Sequence, residues 1–254
     1  MRPVELAFQL VELVAQHQPV GVSELARLAG LPKTTAHRLL QALHQTGWIA
    51  PDDSDRPLWA LTGRAMVNCG RATRSQSLLR GVALPVMEEL RRLTEETIHL
   101  TWRHDMSLVL LERLDGIRPV RYFFPYAGQA TLHATSSGQA VLAALAPDVL
   151  DAYLSGTLAQ VTPFTLVEPA ALRRLFDGVR GRGYAFGRGG HVADVHAVGA
   201  AILDPAGAPI GAISVSAPAE RLAEAEAERY GPLVADAVRR VSMGLRAYPA
   251  ARSG

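Results

Sequence analysis

Apolar positions recur at helical spacing from the start of the chain. Val4, Phe8, Val11 and Val14, with Ala7 and Leu10 beside them, predict an amphipathic first helix. Gln18-Pro19-Val20-Gly21 ends it. Ser23 is placed to cap a second helix, since a hydroxyl can accept from the free N–H groups of the next turn. Leu25, Ala26, Leu28 and Ala29 form that short helix, and Gly30 stops it by tolerating a left-handed backbone. Pro32 then opens a third helix at its first turn, where a missing N–H costs nothing. Ala36, Leu39, Leu40 and Leu43 share the inward face of this helix, so Thr34, Arg38, Gln41 and Gln45 point away, flanked by Thr35 and His37. Two strand-like runs, Trp48-Ile49-Ala50 and Leu58-Trp59-Ala60-Leu61, enclose the turn-rich Pro51–Pro57 and predict a hairpin.

Beyond residue 61 the pattern turns helical again, with an apolar stripe at Leu78, Leu79, Val82, Val86, Leu90 and Leu93 and breaks expected at Gly70 and at Gly81 to Pro85. That stripe suits packing on its own domain or contact with a second copy. Strands are expected at residues 97–102, 108–114 and 118–124, helices at about 137–146 and 170–182, and two more strands at about 197–203 and 210–216. A last helical region runs from about 219 to 247, with a kink expected at Gly231-Pro232. The fold class is therefore α+β. The division is a winged helix-turn-helix over residues 1–61, a helical linker over 62–80 and a sheet domain over 81–254.

Composition narrows the function only a little. Of 254 residues 48% are hydrophobic and 20% charged, the balance of a soluble globular protein, and no apolar run reaches the length of a membrane span. The N-terminus does not read as an export signal, because Glu5, Gln9 and Glu12 interrupt its apolar residues. A single cysteine, Cys69, allows no internal disulfide, which fits a reducing cytoplasm. The formal net charge of +2 says little, but its distribution says more. Residues 1–80 carry nine Lys or Arg against six acids, and no acid lies between Glu24 and Asp52. Arg27, Lys33 and Arg38 occupy that gap, the electrostatic footprint a phosphate backbone requires.

An outward helix face of hydroxyls, amides and a guanidinium, without a carboxylate, suits a major groove. Arg can hold guanine through two acceptors and Gln can hold adenine, while Thr and Lys near the helix start reach phosphates. The candidate DNA-binding set is Ser23, Lys33, Thr34, Thr35, His37, Arg38 and Gln41, with Arg56 at the tip of the wing, where three neighbouring aspartates would oppose close approach.

The run Gly30-Leu31-Pro32-Lys33-Thr34-Thr35-Ala36-His37-Arg38-Leu39-Leu40-Gln41-Ala42-Leu43 resembles the IclR family of bacterial transcription regulators, as do Ser23-Glu24-Leu25-Ala26 before it and Gly47-Trp48-Ile49 after it. Similarity continues at Leu132-His133-Ala134-Thr135, at Arg180–Tyr184 and at Ile213–Pro218. The resemblance implies a DNA-binding homodimer, or a dimer of dimers, on a palindromic or pseudo-palindromic operator. It also implies a GAF-like C-terminal domain that binds a small-molecule effector, with no cofactor, metal or catalytic residue.

Four serines are candidates for that effector. Ser136 and Ser137 precede an apolar helix expected from about Gln139, where hydroxyls and free N–H groups either cap the helix or receive a carboxylate. Ser214 and Ser216 share one face of a strand, facing either a cavity or solvent. The resemblance places all four in the effector pocket. Two positions depart from the family pattern: Gly187-Arg188-Gly189-Gly190 replaces an acidic run, and His196-Ala197 replaces Arg-Cys. Arg188, His191 and His196 are then candidate donors toward an acid, aromatic if Phe123, Phe124 and Tyr126 contribute. Two other readings are weaker. A hydrolase around Ser136 or Ser137 lacks the Gly-x-Ser-x-Gly elbow, and the His191–His196 segment matches no tight metal-ligand spacing.

Overall fold

The computed structural model describes residues 2–65, 74–118 and 131–247. Residues 119–124 of the expected strand at 118–124, Phe123, Phe124 and Tyr126, Gly70 and Cys69 lie outside them. The chain divides into two compact units, Met1–Arg74 and Ser75–Gly254, so the boundary falls inside the segment expected as a linker.

In the first unit, helix α1 (Arg2–His17) leads into the short strand β1 (Val20–Gly21), then α2 (Val22–Ala29) and α3 (Lys33–Gln45). Strands β2 (Ile49–Pro51) and β3 (Leu58–Leu61) make the hairpin, and β1 joins its outer edge, giving an antiparallel sheet in the order β1-β3-β2. The core is Leu10, Val14, Val20, Leu25, Leu40, Ile49 and Trp59. On α1 it is Leu10 and Val14 that are buried, while Val4 and Phe8 stay exposed, because at about 100° per residue the two pairs lie roughly a third of a turn apart around the helix and only the first faces α2 and α3. His44 seals one edge of this core, its ring meeting Trp59 edge-on and its Nδ1 hydrogen-bonding to the Ile49 carbonyl at 3.0 Å.

Two capping expectations are corrected. Gly21, not Ser23, stands at the cap of α2, and Ser23 lies inside the first turn, so its hydroxyl is an exposed helical side chain. Pro32 stands one residue before α3 rather than in its first turn. Gly30 does end α2 in the left-handed region, at φ 64°. The Leu31 N–H reaches back to the Ala26 carbonyl, which fixes the tight turn between the two helices.

The second unit is built on a five-stranded sheet, in the order β5-β4-β8-β7-β6 with every neighbour antiparallel: β4 (Thr97–His104), β5 (Ser107–Leu114), β6 (Ala185–Arg188), β7 (Val195–Leu203) and β8 (Pro209–Pro218). One face packs on α4 (Arg74–Thr94) and the terminal helix α8 (Glu224–Arg246), through Met87, Leu90, Ile98, Leu100, Ile213, Val215, Val234 and Val241. The other face carries a 3-10 turn (Leu132–Ala134) followed by α5 (Ser136–Ala143), α6 (Pro147–Leu154) and α7 (Pro169–Arg182), around Leu132, Leu142, Leu172 and Phe176. The break expected from Gly81 to Pro85 does not occur, and Pro85 and Pro232 both sit inside continuous helices. The long apolar faces that α4 and α8 bury outweigh the hydrogen bond each proline forfeits. Gly231 lets the ring of Tyr184 lie against α8, where a Cβ would come within 2.1 Å of it.

Candidate functional site

The exposed side of α3 carries one candidate surface. Lys33, Thr34, His37, Arg38 and Gln41 are exposed, and Thr35 is half-buried, while Ala36 and Leu40 are fully buried behind them. Among the described residues no ion pair involves Lys33, Arg38 or Arg56, whereas Arg27 on α2 is held by Glu24 at 2.5 Å. The cations of α3 are therefore uncompensated, as phosphates require. The wing is stiffened by the acid expected to oppose DNA. Asp52 turns its carboxylate onto the hairpin, accepting from the Ser54 N–H and hydroxyl and from the Leu58 N–H at 2.9 Å. These bonds hold its carboxyl below the usual range. Arg56 is exposed beside it.

The second candidate is a cavity of about 80 Å³ between the sheet and α5. Strand alternation builds its floor. His99 and Thr101 on β4, Ser214 and Ser216 on β8, and Ala197 on β7 all project to the α5 side, while Ile98, Leu100, Ile213 and Val215 project to the other. His99 faces Ser214 in the strand register, and its Nδ1 lies 3.3 Å from the Ser216 hydroxyl. Thr101 instead passes its hydroxyl proton to the Ala212 carbonyl.

The walls come from two glycine-lined approaches. Helix α5 starts at Ser136, three residues earlier than its apolar run suggests, and Thr135 caps it by accepting the Gly138 N–H at 3.0 Å. Its first turn sits almost directly on the sheet. A Cβ at Gly199 would lie 2.8 Å from Ser136 C and from Ser137 N, and one at Gly187 3.2 Å from Ser136 N. This seat brings Ser136, Ser137 and the N-terminal end of the helix dipole to the cavity. The opposite wall is Gly190, His191, Val192 and Val195, with Leu108 and Leu110 on β5 closing the apolar side.

Of the sequence candidates, Ser136, Ser137, His191, Ser214 and Ser216 meet here. Arg188 and His196 do not, and the expectation that they donate into this cavity is corrected. Each is one residue from a position that faces it (Gly187, Ala197), so alternation turns them to the other side of the sheet. There Arg188 pairs with Glu224 and His196 donates its Nδ1–H to the Leu222 carbonyl, 2.8 Å away. His99 and Thr101 were missed although Thr97-Ile98-His99-Leu100-Thr101 alternates polar and apolar residues, a signal that sets both on the face opposite Ile98 and Leu100 and could have found them. Among the lining residues there is no Lys, Arg, Asp or Glu. Both imidazoles are neutral at physiological pH. Burial, reinforced by Arg113, brings His99 down to about 4, and burial lowers His191 as well. What remains is a pocket of hydroxyls, neutral imidazoles and a helix N-terminus, suited to an anion held by dipoles rather than by a countercharge. No cluster of three or more His, Cys, Asp or Glu able to hold a metal ion occurs among the described residues, and no helix among them is long and apolar enough to cross a membrane.

Comparison with known proteins bears on both surfaces. Residues 3–53 match the IclR helix-turn-helix domain and residues 72–243 match the C-terminal domain of the bacterial transcriptional regulator IclR. The chain is 33% identical over 232 residues to the HTH-type transcriptional repressor AllR of Escherichia coli K12, covering 90% of this chain and 85% of that one. Its fold is similar to that of the Thermotoga maritima IclR (TM-score 0.80, 23% identity, 96% and 99% of the two chains). It is also similar to an IclR homologue of Microbacterium hydrocarbonoxydans complexed with 4-hydroxybenzoate (TM-score 0.77, 28% identity, 96% and 99%). With a helix-turn-helix unit whose α3 presents unpaired cations and a second unit enclosing a largely apolar cavity that carries serine hydroxyls and imidazoles, the chain belongs to the IclR family of bacterial transcriptional regulators.

Proposed function

We propose that this regulator binds a palindromic or pseudo-palindromic operator as a homodimer or a dimer of dimers, and that a compact carboxylic acid in the cavity of the second unit controls that binding. The observation that carries the effector class is the meeting of the α5 N-terminus with Ser136, Ser137, Ser214 and Ser216 in a cavity free of acidic side chains. A carboxylate there receives N–H and hydroxyl donors without displacing a like charge. At about 80 Å³ the cavity is smaller than the roughly 150 Å³ that holds a benzene ring. A short acid therefore enters it as it stands, and an aromatic one requires its walls to part.

On the DNA side, Lys33 and Thr34 contact phosphates and Arg38 and Gln41 read bases, with Thr35, His37, Ser23 and the wing residue Arg56 in support. Half-sites about 34 Å apart are the expectation for two copies of α3 on one face of the duplex. Selection of genomic fragments by the purified protein, followed by anisotropy titrations, tests this half of the reading. Arg38→Ala should weaken operator binding by about 1–3 kcal/mol more than random DNA. Equal losses on both would remove its base-reading role. Calorimetry with glyoxylate, pyruvate, benzoate and 4-hydroxybenzoate tests the other half, and a protein that binds none of them refutes the acid.

A further inference from the structure

The loop at residues 159–165, between α6 and α7, does not line the cavity, yet it is bonded to both of its walls. We propose that it is a strap holding those walls in register and thereby setting the affinity of the cavity, with Thr162, Thr165 and His133 as positioning residues. This rests on the effector reading of the cavity above.

At one end the strap grips the glycine turn. The Thr162 hydroxyl donates to the Gly189 carbonyl and the Thr165 hydroxyl to the Gly190 carbonyl, each at 2.6 Å. Both hydroxyls also accept from the strap's own backbone. Val161 and Thr162 give their N–H groups to Thr165 Oγ1 at 3.1 and 2.8 Å, and Phe164 gives its N–H to Thr162 Oγ1 at 3.1 Å. Each threonine thus spends its proton on the cavity wall and its lone pairs on the loop, so the loop's fold and the wall's position depend on the same two atoms.

The other end reaches the α5 wall through His133, which is 1% exposed in the 3-10 turn just before Thr135. Its Nε2 lies 2.9 Å from the Ala159 carbonyl and its Nδ1 2.7 Å from the Tyr153 hydroxyl. A carbonyl only accepts, so Nε2 carries the proton and Nδ1 accepts from Tyr153. The His133 carbonyl in turn accepts from Gln139 Nε2 inside α5 at 3.0 Å.

Gly190 shows why such a tie is needed. A Cβ there would come within 2.7 Å of the Ala134 carbonyl oxygen, so the two walls meet backbone to backbone with no side chain to interlock them. Gly187, Gly189 and Gly190 also make the turn entropically costly to order. The strap supplies from outside the constraint that the glycines cannot.

Peptide-level hydrogen exchange on the ligand-free full-length protein tests this without any ligand. In Thr162→Val and Thr165→Val, amides of residues 187–195 should exchange about tenfold faster, with β4 and β5 unchanged. Tyr153→Phe should do the same for residues 132–139. Thr165→Ser, which keeps the hydroxyl, should restore slow exchange and covers the case in which the valine variant fails to fold. Glyoxylate affinity, by calorimetry, should fall as exchange quickens, whereas benzoate, which enters only when the walls part, should not lose affinity with it. Unchanged exchange at 187–195 in the valine variants, or a serine variant as fast as the valine one, overturns the strap. Unaltered glyoxylate affinity beside faster exchange overturns its effect on the ligand. A wild-type protein that binds neither acid counts instead against the effector reading.

Discussion

Replacing Gly199 by Ala tests the seat on which the cavity depends. Gly199 lies in β7 opposite Ala185 and Ser214, with the first turn of α5 directly above it. The added Cβ would be 2.8 Å from Ser136 C and Ser137 N and 3.0 Å from Ser136 O, all backbone atoms that no rotamer change can move. Ordinary contact requires α5 to retreat by roughly half an ångström, against a well-packed core of Leu142, Leu172 and Phe176. Overpacking of this kind costs about 2 kcal/mol, which for a unit of this size lowers Tm by roughly 4–8 °C. Gly178→Ala is the internal control. That glycine is exposed within α7 with nothing within 4 Å of a new Cβ, so alanine should stabilise by about 0.5–1 kcal/mol. Thermal melts followed by circular dichroism, with calorimetry of benzoate or glyoxylate beside them, read both effects. A Gly199→Ala protein with the wild-type Tm and unaltered acid affinity would show that α5 is not seated as described.

Gly231→Ala should be milder, at about 1–2 kcal/mol in chemical denaturation, because the new Cβ meets the end of the half-buried Tyr184 ring, which can swing aside, rather than backbone. A melt within 1 °C of wild type would contradict it. Glu96→Gln removes the charge from a buried carboxylate held by Arg221 through two bonds of 2.7 Å. Because Arg221 keeps 24% of its side-chain exposure, the loss should be about 2 kcal/mol rather than the roughly 3–5 of a fully buried pair, as urea titration would reveal. His99 makes stability depend on pH. Its folded value of about 4 lies below the ordinary 6.5, so the unfolded chain binds more protons between those limits. Stability should fall by up to about 3 kcal/mol as pH drops from 6.5 to 4, and His99→Gln should flatten that slope. Parallel slopes for the two proteins would deny the burial its role.

Much of the first unit was legible because its signals are local. Gly30, Pro32 and the 3.6-residue spacing of Ala36, Leu40 and Leu43 fix a turn and a buried face within one stretch of chain, so the outward set from Lys33 to Gln41 follows by geometry. Where local rules competed with tertiary packing, they lost. Pro85 and Pro232 would break an isolated helix, yet each stands in a helix longer than twenty residues whose apolar face is covered. Ser23 is a better cap by composition than Gly21, but the pairing of β1 with β3 at Gly21 and Leu58 sets where the chain leaves the sheet. Ser214 and Ser216 were readable as a shared strand face, whereas Arg188 and His196 were assigned because they stand in segments that depart from the family pattern, beside Gly187 and Ala197. Proximity along a strand places alternate residues on opposite sides.

The glycines at residues 187–190 take their meaning from this geometry. Gly187 and Gly190 could not carry carboxylates here without moving backbone, since the first would press on Ser136 and the second on Ala134. Nor does this stretch bring a positive charge to the cavity, because Arg188 is turned away to Glu224 and both cavity imidazoles are neutral. On the proposed reading, an acid in the cavity would be selected by the direction of its dipoles. The α5 N-terminus favours an anionic end at Ser136 and Ser137, and Leu108, Leu110, Val192 and Val195 favour an apolar remainder. Dipolar recognition of this kind is short-ranged and depends on position to within a fraction of an ångström, unlike attraction to a charged side chain, which tolerates displacement. A pocket with no charged side chain on its walls thus needs those walls fixed more tightly than one built on an arginine, and the two threonine hydroxyls on Gly189 and Gly190 lie where that rigidity has to come from.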